Sequence, residues 1–262
     1  MNFTGLLKEL NLPSDVTRKL EEYRHLFPAH KELILGMTAH PGAAEAYAQL
    51  EKVLGGDDMA MLACQVYGAS LIREKYRAMG IGDDVFLDTM GCFRRFLGET
   101  LHRTGKLCFD RGWWTYRQLS MRLFRIGQLE YEMLQDPHVI SLHIPSDSKI
   151  TVQEVDASLL AARAFFADHF PDYAEAPIGC ESWLLSPALR EHLDGESRIL
   201  AFQNRFFILH ADPEPGDVLE WLFSVPEDTA VENLPENTSL QRKVKKYMLS
   251  GGKIGVARGV LK

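Results

Sequence analysis

Long apolar runs are missing from this 262-residue sequence. Although 46% of it is hydrophobic, no stretch reaches the roughly 18 uncharged apolar residues of a membrane span, and none is expected. The first residues, Met1 to Glu9, lack the basic start and apolar core of a secretory signal, so a cytoplasmic location is expected. Excess positive charge is missing too. Lys and Arg total 29 against 36 Asp and Glu, a net charge of −7, which gives no pull toward polyanions and excludes nucleic acid as the expected partner. Cysteine is scarce: Cys64, Cys92, Cys108 and Cys180 form no CxxC pair, so no thiolate metal site is expected and each reads as a reduced thiol filling the core. GxSxG, GxxxxGK[ST] and HExxH are absent, which removes local support for a serine hydrolase, a P-loop enzyme or a zincin.

What is present divides the chain in two. From Leu12 to about Lys106 apolar residues recur every three or four positions, with breaks at Pro28, Pro41, Gly55-Gly56 and Gly80-Ile81-Gly82; residues 1–110 are expected to form an all-α helical domain. Leu62, Val66, Ala69, Ile72 and Tyr76 make one stripe, and a helix opening at Asp83-Asp84 buries Phe86, Met90, Phe93 and Leu97. After Asp110 the period shortens. Alternation from Leu119 to Met133 predicts a half-buried strand, followed by a second at Val139 to Ile144. Thr151-Val152-Gln153-Glu154 is a capping box for a helix that Pro171 stops. Ile178–Leu185 predicts a strand, Ser186-Pro187 the start of a short helix, and Phe206–Ala211 with Val218–Val225 a hairpin turning at Asp212–Gly216. Thr238–Gln241 caps a last helix ending at Gly251-Gly252, before a strand from Ile254 to Leu261. Residues 111–262 are therefore expected to be a mixed α/β domain, and the chain as a whole α+β.

Several positions are candidates for chemistry. Arg77-Ala78-Met79-Gly80-Ile81-Gly82 matches the RxxGxG pattern that cradles pyrophosphate in many acetyltransferases. It follows a helical rather than a strand pattern, so an interhelical turn is expected there. The stronger anion candidate is the turn Pro145 to Ile150, where a strand runs into a helix N-terminus and free backbone N–H groups meet a positive dipole end; Ser146, Ser148 and Thr151 can add hydroxyl donors. The alternative is a solvated loop of turn-forming residues. Arg125 lies on an apolar strand face beside Gly127 and either pairs with a structural carboxylate or faces a ligand cleft, unless a bulge at Gly127 changes the register. His143, near a strand end beside that turn, is a candidate general base because imidazoles exchange protons near neutral pH, or a satisfied structural histidine, and Glu130 and Glu132 are alternative bases on the neighbouring strand or residues of its solvated face. Cys180 and Ser182 share one strand face and read as core packing or as a nucleophile. Gly251-Gly252-Lys253 is explained by a helix C-cap without any phosphate. From Arg111 to Leu129 four Arg and no acid interleave with Trp113, Trp114 and Tyr116, a docking surface between the domains or a ligand contact.

Asp110-Arg111-Gly112-Trp113-Trp114, the run Arg122 to Gly127, Leu142-His143-Ile144-Pro145-Ser146, Phe165-Phe166 with His169-Phe170-Pro171, Ser182-Trp183-Leu184-Leu185 with Pro187, and Phe202-Gln203 with Arg205-Phe206 resemble the bacterial acyltransferase-domain family in which a helical N-terminal domain precedes a GNAT-like C-terminal domain. The resemblance spans the chain and is strongest from 110 to 211. It implies a GNAT-like acyltransferase domain at 111–262 that moves an acyl group from acetyl-CoA or another acyl-CoA to an amine on a small molecule or peptide. His143 or Glu130 would take the amine proton, and Ile144, Ser146, Ser148, Thr151 and Arg125 would lie at the cofactor. The family's glycine-rich loop is replaced here by Pro145-Ser146-Asp147-Ser148-Lys149. The alternative is therefore a non-catalytic small-molecule or protein-binding module with a GNAT-like fold that has lost the cofactor loop.

Overall fold

The computed structural model describes residues 3–214, 218–226 and 228–262. It divides into two compact units that meet between Glu132 and Met133. The change of hydrophobic period near Asp110 lies upstream of that division.

The first unit is built from α1 (Phe3–Glu9), α2 (Ser14–Glu22), α3 (Leu26–Ala29), α4 (Lys31–Met37), α5 (Ala43–Val53), α6 (Asp58–Ala78), α7 (Asp83–Met90), α8 (Cys92–Thr104) and α9 (Gly112–Leu119). Asp57 caps α6 by accepting from the N–H groups of Met59 and Ala60, both at 3.0 Å. The expected stripe of α6 is buried, but so are Met61, Ala63, Cys64 and Gln65, so this helix is the centre of a helical layer and not one edge of it. Gln65 satisfies its buried amide by donating to Gly112 O at 2.9 Å and accepting from Thr115 Oγ1 at 2.6 Å.

The Arg77–Gly82 motif is an interhelical turn. Gly80 has φ +76°, and Ile81 N–H donates to Tyr76 O, closing the C-terminus of α6. Arg77 points to Asp83 at 2.9 Å, and the buried Arg73 donates to the same carboxylate at 3.0 Å and to Glu9 at 2.9 Å. The Arg73 and then the Arg77 hydrogen bonds hold the Asp83 carboxyl well below the usual carboxylate range. A carboxyl whose folded pKa lies below its unfolded value of about 4 stabilises the fold above that pH and loses the contribution as the pH falls below it. Asp83→Asn is thus expected to lower the urea midpoint at pH 7, with the deficit against wild type shrinking below about pH 4. A deficit independent of pH would overturn the charge-based account.

The single strand expected from Leu119 to Met133 is instead the end of α9, a turn, and a hairpin of β1 (Leu123–Ile126) and β2 (Leu129–Gln135). The continuous alternation does not describe one face: Leu123 pairs with Glu132 and Arg125 with Glu130, so the odd positions of β1 share a face with the even positions of β2. Gly127, at φ +63°, makes the turn, and Ile126 pairs with Leu129. Leu123, Phe124 and Ile126 are buried and Arg125 is half-buried.

β3 (His138–His143), β4 (Ile178–Ser182), β5 (Phe206–Asp212) and β6 (Val256–Leu261) complete a mixed sheet in the order β1-β2-β3-β4-β6-β5. β3 and β4 are parallel, while β4–β6 and β5–β6 are antiparallel. The β3–β4 crossover holds α10 (Val152–His169), which buries Val155, Ser158, Ala162, Phe165 and Phe166; α11 (Arg198–Gln203) and α12 (Ser239–Leu249) follow. α12 has the full capping box expected of Thr238 and Gln241.

Two further expectations are corrected. Ile178–Leu185 is strand only to Ser182, whose Oγ accepts from Leu184 N–H at 3.1 Å and turns the chain into a 3₁₀ segment, Trp183–Leu185. Val218–Val225 is not a strand: Leu219–Phe223 forms a π-helical turn that ends at Ser224 in the left-handed region, φ +56°. Val218 and Phe223, both buried, are five apart, the spacing of such a turn. Pro215 and Gly216 of the expected hairpin turn lie outside the described residues. Among the described residues, no helix is long and apolar enough to cross a membrane and no cluster of His, Cys, Asp or Glu is arranged to hold a metal ion.

Candidate functional site at the end of strand three

Alternation along β3 buries Ile140 and Leu142 and leaves Ser141 and His143 half-buried on the other face. The parallel register runs through Ile140–Ile178, Ser141–Gly179 and Leu142–Cys180. Past it, β4 continues with Glu181 opposite Arg258 and Ser182 opposite Ala257 of β6, while β3 stops at His143 and the chain turns away. Adjacent parallel strands that part at their C-terminal ends open a crevice lined by backbone polar groups, the usual ligand position in α/β sheets.

The turn that follows is closed by Ser148 N–H donating to Pro145 O at 3.0 Å. Pro145 is buried, Ser146 and Asp147 are exposed at its tip, and Ser148 is half-buried. Thr151 then caps α10, its Oγ accepting from Glu154 N–H at 3.3 Å. The N–H groups of Val152 and Gln153 have no intrahelical acceptor, as for any first helical turn, and both residues are exposed at the positive end of an 18-residue helix. Ile144 packs against an apolar cluster that includes Trp183, Leu184, Val218, Phe223 and Ile254. Gln203, fully buried, donates to Leu184 O at 2.7 Å and Ser186 O at 3.1 Å, fixing the segment after β4. The sequence of residues 218–223 hid their part in this cluster because a short apolar run has no period that separates a strand from a π turn.

His143, Ile144, Ser146, Ser148 and Thr151 therefore fall on one strand-turn-helix segment. Arg125 and Glu130 belong to the first unit, opposite each other across β1 and β2. Arg125 donates its backbone N–H to Thr89 Oγ1 at 3.0 Å and its Nε to Gly127 O at 3.3 Å. Glu130, 3% exposed, accepts from the buried Arg95 guanidinium at 2.7 Å. In the Arg and Trp run, Arg117 lies over Trp114 at 4.0 Å, and both Arg117 and Arg122 donate to Glu132. Cys180 is buried, which pushes its thiol up to about 12, so it is a protonated core residue at neutral pH, and the Ser182 hydroxyl serves as a cap.

The sequence matches the GNAT-like C-terminal domain over residues 101–261 and the N-acyltransferase N-terminal domain over residues 1–121. The chain belongs to the family of GNAT-like C-terminal domains. Solved structures share the fold of this chain across nearly its whole length. An acyltransferase in complex with decanoyl-CoA and teicoplanin superposes with TM-score 0.82 at 23% identity, covering 98% of this chain and 86% of that one. An acyltransferase mutant in complex with octanoyl-CoA gives TM-score 0.82 at 22% identity with the same coverage. No curated protein matches the sequence.

Proposed function

We propose that the protein transfers an acyl group from acyl-CoA to an amine borne by a small molecule or peptide. The observation that carries this reading is that the β3–β4 ladder ends at Leu142–Cys180 while β4 runs on against β6, and that the chain leaving β3 turns into the exposed first turn of α10. Neighbours of this fold in complex with decanoyl-CoA and octanoyl-CoA support the co-substrate, and those holding teicoplanin support an acceptor of small-molecule or peptide type.

The residues present fit a pyrophosphate without a glycine-rich loop. Val152 and Gln153 supply main-chain N–H donors, and the Ser148 and Thr151 hydroxyls add to them, since Thr151 keeps its own proton while accepting from Glu154. Half-buried apolar residues packed, like Ile144, against the same cluster, among them Ile199, Leu219 and Leu222, provide surface for an acyl chain. The thioester supplies the activated acyl carbon. The amine nitrogen forms its bond to that carbon, main-chain N–H groups at the parted strands carry the developing oxyanion, and the C–S bond breaks to release the thiolate. His143 takes the proton the amine loses; Glu130, already bound to a guanidinium, is the poorer base. Arg125, turned back on its own hairpin, has no part in this reading.

Decanoyl-CoA at 100 times its Kd is expected to stabilise the protein by about 2.7 kcal/mol, read as a rise in Tm, and a panel of primary amines to release CoA thiol from it. Asp147 at the tip of the turn favours the second reading, a binding module that has lost its cofactor loop. No stabilisation by acetyl-, octanoyl- or decanoyl-CoA would overturn the transferase reading in its favour.

A further inference from the structure

The sheet ends at β5, and this last strand is unusual in what it exposes. Only Phe206 of its seven residues is buried. Phe207 is 59% exposed, Ile208 36% and Leu209 66%, three consecutive large apolar residues on an open edge. Edge strands are normally blunted by charge, proline or shortness, because their unpaired N–H and C=O groups recruit another strand. The centre of β5 has none of these. It has a bulge: Ile208 pairs with Gly259 and His210 with Arg258, leaving Leu209 outside the ladder.

The charges sit at the two ends and differ in sign. At the start, Lys262 donates its backbone N–H to Arg205 O at 2.8 Å and holds its Nζ 5.3 Å from the Phe207 ring. At the finish stand Asp212 and Glu214. Arg205 is paired with Asp156 at 2.6 Å and Glu214 with Lys253 at 2.8 Å. Lys262 and Asp212 are left without an ion-pair partner among the described residues. Parallel association of two such strands would bring like charges together, whereas antiparallel association brings each Lys262 to the other copy's Asp212.

We propose that β5 is a self-association edge on which a second copy of this chain seats its own β5, antiparallel, about a two-fold axis near Leu209. The contact is isologous and closed, so it gives a dimer and no larger assembly. Phe207, Ile208 and Leu209 of both copies supply the apolar area, and Lys262 with Asp212 set the direction. The inference is independent of the function proposed above.

Sedimentation equilibrium over a range of protein concentrations tests it. The wild type is expected to be dimeric, and Leu209→Glu, at an exposed position that leaves folding intact by circular dichroism, to sediment as a monomer. Lys262→Glu and Asp212→Lys are each expected to weaken the dimer by about two- to thirtyfold, the range for the two cross-strand charge pairs that a symmetric dimer loses together, and the double variant to recover wild-type affinity. A wild-type monomer, a dimer unaffected by Leu209→Glu, open-ended assembly, or a double variant no better than its parents would each overturn the proposal.

Discussion

Replacing His143 by alanine is expected to lower kcat by about 10²- to 10⁴-fold, the usual contribution of a positioned general base, with the acyl-CoA KM little changed. The separation follows from the geometry. His143 is the last residue of β3, and its side chain lies on the half-buried face opposite Leu142, while the donors assigned to the cofactor belong to the turn and to the first turn of α10. The side chain is not part of the apolar core, so unfolding in urea is expected to stay close to wild type. The check is steady-state kinetics with decanoyl-CoA and whichever amine releases thiol, run against pH. Loss of the acidic limb of the kcat/KM profile in His143→Ala identifies the base; turnover near the wild-type rate refutes the assignment.

Glu130→Ala is expected to destabilise the protein by about 3–5 kcal/mol, because removing one partner of a buried ion pair strands the other charge. Arg95 has 6% side-chain exposure and Glu130 3%. Glu99, 3.5 Å from Arg95 Nε, remains as a partial partner and places the expected loss toward the lower end. The double variant Arg95→Met with Glu130→Leu is expected to be more stable than Glu130→Ala, since apolar replacement removes the desolvation cost of both groups. Urea midpoints at constant m measure both. If Glu130→Ala instead kept full stability and lost turnover, the structural role would fail and Glu130 would become the base.

Much of the architecture was legible because it depends on local chemistry. The capping residues Thr151 and Thr238, the stop at Pro171, the turn at Gly80 and the buried stripe of α6 act within a few residues of themselves, so each leaves a signature in the order of amino acids. The turn from Pro145 to Ile150 was legible for the same reason: a strand period that gives way to a capping residue marks a helix N-terminus at a strand end. The hairpin at Gly127 was not, since the apolar and polar residues alternate without a break through the turn, although the pairing of Ile126 with Leu129 puts the odd positions of the two strands on opposite faces. The π turn at 219–223 was hidden because a spacing of five within an apolar stretch has no distinctive pattern.

The sequence by itself determined the helical first part, the α/β second part and the strand-turn-helix course of His143–Thr151, where we propose that an anion binds, each through periodicity or capping that operates along the chain. Tertiary structure decided what each charged or polar group does. Glu130 and Arg125 look alike as polar residues on strands, yet one is sealed against Arg95 and the other folds back on its own turn, because partners come from α8 and from a hairpin whose approach no local pattern encodes. It also decided that Phe207, Ile208 and Leu209, apolar enough for a core, lie on an open edge: burial depends on which strand comes last in the sheet, and that order is fixed by pairing between residues far apart in the chain.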